Sequence, residues 1–101
     1  MEKKLIAVDF DETITTKKIR WWKGEEPELN HKTAEWMDKK YIEGNIIIIH
    51  TSRPWRVAQE TVAWLRKQGI RFHGVMFEKL SADVYLDDKA LNVRDIENMR
   101  I

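Results

Sequence analysis

Acidic and hydroxyl side chains recur in this sequence directly after its apolar runs. Asp9, Asp11 and Thr13 follow Leu5-Ile6-Ala7-Val8, Thr51 and Ser52 follow a run of four Ile and His50, and Asp87 and Asp88 follow Val84-Tyr85-Leu86. Taken singly, such residues cap helices and start turns. If the runs are strands of one sheet, however, their polar ends meet at one edge, and the four carboxylates of Asp9, Asp11, Asp87 and Asp88 repel one another unless a cation neutralises them. A hard divalent ion with oxygen ligands, Mg²⁺, is the expected partner.

Strands must carry those ends. Lys4 to Phe10 reads as one, because an unbroken apolar run marks a strand covered on both faces of a parallel sheet. Asn45 to His50 repeats the signature with consecutive β-branched residues, which favour strand over helix. Gly74 to Phe77 and Asp83 to Leu86 are shorter apolar runs and are expected to be the third and fourth strands. Between the first two, Asn30 to Glu43 sets Ala34, Met37 and Tyr41 at helical spacing, with Asn30 as cap and Gly44 as stop. Pro54 to Lys67 follows the capping pair Thr51-Ser52 and aligns Val57, Thr61, Val62 and Leu65 before Gly69. This alternation predicts a single α/β domain over residues 1–101. Its expected architecture is a three-layer, open parallel, Rossmann-like sheet with right-handed crossovers and a ligand at the carboxyl ends of the strands. Thr15 to Pro27 is the least regular stretch. It carries Lys17, Lys18, Arg20, Trp21, Trp22 and Lys23, and is expected to form a hairpin flap.

Composition narrows the classes of function. Eighteen basic against seventeen acidic residues give a formal charge of +1, which argues against a strongly basic nucleic-acid module. A 43% hydrophobic content with five Trp supplies a core. With no Cys there is no disulfide and no thiolate nucleophile or metal ligand. His31, His50 and His73 lack the spacing of a zinc site. The apolar run near Met1 is interrupted by Asp9, so neither a signal peptide nor a membrane span is expected, and the default location is cytoplasmic.

Asp9-Phe10-Asp11-Glu12-Thr13 after an apolar strand resembles the first motif of the haloacid dehalogenase-like (HAD) phosphohydrolases. Thr51 is similar to that family's second motif, Lys79 to its third and Asp87-Asp88 to its fourth, in the same order along nearly the whole chain. Lys79 to Leu91 further resembles small phosphatases encoded with sugar and capsule biosynthesis genes. The resemblance implies a HAD core and a Mg²⁺-dependent phosphomonoesterase. Asp9 would attack phosphorus and form an aspartyl phosphate. Asp11 would protonate the leaving oxygen and then deprotonate the attacking water. Thr51 and Lys79 would bind the phosphoryl oxygens. Asp9, Asp11, Asp87 and Asp88 form the implied metal set, Asp87 being the foremost ligand beside Asp9, and Asp88 acting through water or on Lys79.

Two positions depart from the family pattern. Glu12 stands where Gly is common, so the backbone there is expected to avoid a glycine-only conformation. Leu80 replaces a frequent Pro, which changes only loop stiffness. His50 could touch substrate or serve simply as a strand-end residue, and Trp21 and Trp22 could stack a sugar or base or pack within the flap. Trp36 and Trp64 are expected to pack.

Neither slot used by the family's cap domains has room here, so the site should be open. A small phosphorylated substrate such as a sugar phosphate is expected, with a homo-oligomer in which a neighbouring subunit or the flap covers the metal. A nucleotidase or nucleic-acid end phosphatase is the alternative enzyme, supported only by the basic, Trp-containing flap. A receiver-like phosphoacceptor domain is a remoter one, disfavoured because Asp11 is placed to hydrolyse the intermediate.

Overall fold

Four β-branched residues in succession form the middle of the sheet. Strand β2 (Ile46–His50) pairs in parallel on one side with β1 (Leu5–Asp9) and on the other with β3 (Gly74–Met76), in the order β1-β2-β3. The computed structural model describes residues 2–98. Helix α1 (His31–Ile42) connects β1 to β2 and is capped as expected, the Asn30 side chain accepting the Thr33 N–H. Helix α2 (Ala58–Lys67) connects β2 to β3 after a 3-10 turn at Trp55–Val57, so Pro54, not Thr51 or Ser52, precedes the first turn. A last 3-10 segment, Val93–Asn98, packs on α1 and buries Ile96.

The core occupies one face of the sheet. Val8, Ile47 and Ile49 point to it, and Met37 of α1 and Leu65 of α2 join the same cluster with Phe10, Ile14 and Ile70. Both helices therefore cover the same face, as two crossovers of one hand must do when the strands follow in sequence order. On the opposite face Leu5 is 70%, Ile46 46% and Met76 62% exposed. Among the described residues the expected three layers are thus two, because nothing crosses to the far side of β1.

The expected fourth strand is also not formed. Val84, Tyr85 and Leu86 run as irregular, exposed chain. A local contact competes with strand pairing there. The Tyr85 hydroxyl donates to the Leu80 carbonyl at 2.6 Å and accepts the Ala82 N–H at 2.9 Å, closing a short loop. Thr15 to Pro27 is closed at its neck by a bridge between Thr15 and Leu29 and by the Thr16 N–H on the Glu28 carbonyl at 2.9 Å, and again below its tip, where the Arg20 N–H and Nε donate to the Glu25 carboxylate at 2.8 and 2.7 Å; a 3-10 turn at Trp21–Lys23 forms the tip. Among the described residues no helix is long and apolar enough to cross a membrane.

One-sided burial has a measurable signature. Ile47→Ala should cost about 3 kcal/mol in urea denaturation, the usual loss for a fully buried aliphatic side chain, whereas the neighbouring Ile46→Ala should cost about 1 kcal/mol or less. Equal losses would contradict the exposed outer face.

Candidate active site

Parallel register brings the three strand ends level. Asp9 pairs with His50, and His50 with Met76. Asp9 Oδ1 accepts the N–H of Phe10 at 2.8 Å, which leaves Oδ2 turned toward Lys79 Nζ at 3.8 Å. The Lys79 position follows from β2–β3 pairing that continues beyond both strands: the Thr51 N–H donates to the Met76 carbonyl, the Lys79 N–H to the Thr51 carbonyl and the Glu78 N–H to the Arg53 carbonyl, each at 2.9 Å. Thr51 is fully buried, and its Oγ1 accepts the Arg53 N–H at 3.1 Å. That bond uses one of the two lone pairs of Oγ1 and leaves the hydroxyl proton for donation.

Asp11 sits beyond β1 on a tight turn. The Phe10 carbonyl receives the N–H groups of Thr13, Ile14 and Thr15, while the Glu12 N–H donates to Thr15 Oγ1 at 2.9 Å. Glu12 has φ 62°, so the expectation that it avoids a glycine-favouring conformation is corrected. The turn is held from both ends and forces the left-handed conformation on a residue with a Cβ. Glu78, next to Lys79, shows the same φ of 62°, and its carboxylate accepts the Trp55 N–H at 3.3 Å. Backbone strain thus flanks two of the candidate residues.

The Asp11 carboxylate is engaged by a residue that the sequence reading passed over. Arg53 Nε donates to Oδ2 at 3.0 Å and Nη2 to Oδ1 at 2.8 Å. The guanidinium lies 4.6 Å from the Phe10 ring centroid and 5.2 Å from that of Trp21, and Arg53 is only 7% exposed. A lone Arg in a Ser-Arg-Pro loop reads as a solvated cation; its place beside Thr51 was the sole sequence signal. Trp21 also has Arg56 at 5.8 Å, so its ring is engaged by arginines, while Trp22 is 56% exposed and meets Trp21 edge-on at 5.5 Å.

Asp9, Asp11, Thr51 and Lys79 are therefore gathered at the carboxyl end of the sheet. Asp87 and Asp88 are not joined to them. Both are exposed on the irregular segment, Asp87 Oδ1 accepting the Lys89 N–H at 2.7 Å. Among the described residues no group of three or more His, Asp or Glu side chains is close enough to hold a metal ion, so the expected set of four carboxylates is not assembled. The physical reason is the missing strand that would have carried the last two.

His50 lies among these groups, and its pKa is lowered from 6.5 by burial first and by the Lys79 charge second, with Asp9 acting in the opposite sense. It is neutral near pH 7 and can accept or donate a hydrogen bond without competing for phosphate. His73 is structural: Nδ1 accepts the Ile47 N–H at 3.0 Å and the ring stacks on Tyr41 at 4.8 Å. Chemically, the edge offers one half-exposed carboxylate beside an ammonium, a buried hydroxyl donor and a second carboxylate clamped by a guanidinium.

No protein-family model and no curated protein matches the chain. A crystal structure of an MCSG target from Vibrio cholerae is similar in fold, with a TM-score of 0.77 and 21% identity over 99% of this chain and 91% of that one. At that identity the likeness shows the fold alone: a small α/β domain with a parallel sheet.

Two outcomes test this geometry. Glu12→Gly should raise unfolding stability by about 1 kcal/mol by relieving the left-handed strain, and no gain would show that the turn carries none. In metal-free protein the His50 imidazole should titrate below 6.5 by NMR. As pH falls through 6.5 the unfolded imidazole takes up its proton before the folded one, so His50 withdraws stability on the acid side and none above it.

Proposed function

We propose that the chain is a phosphomonoesterase of the haloacid dehalogenase-like type, acting with Mg²⁺ on a small sugar phosphate or related metabolite through an aspartyl phosphate. The observation that carries this reading is the approach of Lys79 Nζ to Asp9 Oδ2 at 3.8 Å, at the strand edge that also holds Thr51, whose carbonyl accepts the Lys79 N–H and whose hydroxyl keeps its proton for donation. A carboxylate with one free oxygen is a nucleophile, and an ammonium and a hydroxyl donor next to it make a cradle for a phosphoryl group. The ordered motifs from Asp9 to Lys79 and the parallel α/β fold support the same reading.

Asp9 attacks phosphorus through Oδ2; the P–O bond to the leaving group breaks and a mixed anhydride remains on the carboxylate. Lys79 and the Thr51 hydroxyl hold the phosphoryl oxygens as negative charge shifts during transfer. Asp11 enters the cycle protonated and delivers that proton to the departing oxygen; the carboxylate so formed, the state that Arg53 clamps, then takes a proton from the water that cleaves the anhydride, which regenerates Asp9 and the protonated Asp11. The donor chemistry suits Mg²⁺, because Asp9 presents a hard carboxylate oxygen and this ion binds through one or two carboxylates, completing its shell with water and substrate phosphate. When bound it would offset the repulsion between the Asp9 carboxylate and the phosphate dianion. Asp87 and Asp88 can contribute only if residues 80–92 come to the sheet edge.

Asp9→Asn should lower turnover of sugar phosphates by ~10³-fold or more with circular dichroism unchanged, since the amide preserves shape but not nucleophilicity. EDTA should remove the wild-type activity and added Mg²⁺ restore it. Turnover near wild type in Asp9→Asn would falsify the reading.

A further inference from the structure

Burying a guanidinium against a carboxylate is costly in desolvation and often contributes nothing net to stability, so a pair retained at a reaction site invites a positional explanation. Arg53 has three such ties. Its side chain clamps Asp11 through two hydrogen bonds, its N–H fixes Thr51 Oγ1 and its carbonyl receives the N–H of Glu78, the residue before Lys79. The guanidinium carbon lies over the ring of Phe10 on the β1 turn and over that of Trp21 at the tip of the flap. No other side chain among those described links the flap to a candidate reacting group in this way.

We propose that Arg53 is a positioning residue that seats the Asp11 carboxylate and couples it to Trp21, so that the placement of the flap and proton transfer at Asp11 change together. The inference rests on the phosphatase reading for its kinetic readout only. A planar fork can hold both carboxylate oxygens in one orientation, and stacking restrains the fork in turn. Displacing Trp21 removes one wall of that restraint. A leaving group that settles against the flap therefore also settles the acid that must protonate it.

The kinetic test compares first-turnover bursts on a sugar phosphate, whose alkoxide must be protonated to leave, with those on p-nitrophenyl phosphate, whose aryloxide need not be. Arg53→Met should lower the burst rate on the sugar phosphate by ~10²-fold, the scale of general-acid catalysis, and on the aryl phosphate at least tenfold less, with KM nearly unchanged. Arg53→Lys should recover only part of the loss, because an ammonium cannot make two parallel contacts. Equal losses on both substrates would overturn the proposal in favour of a merely structural Arg.

A second arm needs no turnover. Asp11→Asn and Arg53→Met should shift tryptophan emission in the same direction, and both shifts should vanish in a Trp21→Phe background. Shifts that persist without Trp21, or none at all, reject the coupling. Wild-type protein that hydrolyses no phosphomonoester with Mg²⁺ would reject the phosphatase reading instead, and the emission arm would still decide the link.

Discussion

Because both outer strands pair in parallel with β2, every strand is obliged to end at the same edge of the sheet. A parallel connection needs a crossover, and the crossovers here include the two helices, so no hairpin joins neighbouring strands at this edge and it takes side chains from three separate stretches of chain. Ile47 and Ile49 fix β2 to the core, and the strand then serves as a ruler for its neighbours. Asp9 is level with His50, and the hydrogen bonds beyond β3 carry the alignment on to Lys79. What the site requires of the fold is chiefly this common end point.

Charge at that edge is balanced locally. Four carboxylates at one edge would need a cation, but the described geometry gathers two, and each has a basic partner from a different strand end: Lys79 for Asp9, Arg53 for Asp11. The two pairs differ in kind. Lys79 stands off at 3.8 Å and leaves an oxygen of Asp9 available, whereas Arg53 occupies both oxygens of Asp11. Asp9 thus keeps an oxygen open at the edge, while Asp11 is fixed in one orientation.

Much of this arrangement is legible in the sequence. Consecutive Ile residues can hardly be anything but a buried strand, Asn30 and Gly44 bracket the first helix, and the polar residues after the first two apolar runs mark the edge where they meet. Three features are not legible, each for its own reason. The run Leu5 to Val8 looks covered on both faces, yet alternation in burial is a property of what packs on the strand, and Leu5 lies on the uncovered side. Val84 to Leu86 satisfies a strand pattern three residues long, too short to outweigh a tyrosine hydroxyl that finds its partners five and three residues back. Arg53 escapes notice because its importance comes from a carboxylate 42 positions away, and no local pattern encodes such a distance.

The continuation of hydrogen bonding past β2 and β3 also bears on how the protein reaches its folded form. The edge draws on the chain near residues 9–11, 51–53 and 78–79, segments about 25 to 40 positions apart, and no two of them are neighbours without the helix between. Contacts of such sequence separation are made late, after the entropy of closing each intervening loop has been met. A partly folded chain with both helices and the β1–β2 pair already in place still lacks Lys79 beside Asp9, so the edge is complete only with the docking of β3. Formation of the Lys79–Asp9 pair is then a kinetic probe of that final docking step, slower than any signal that reports helix formation.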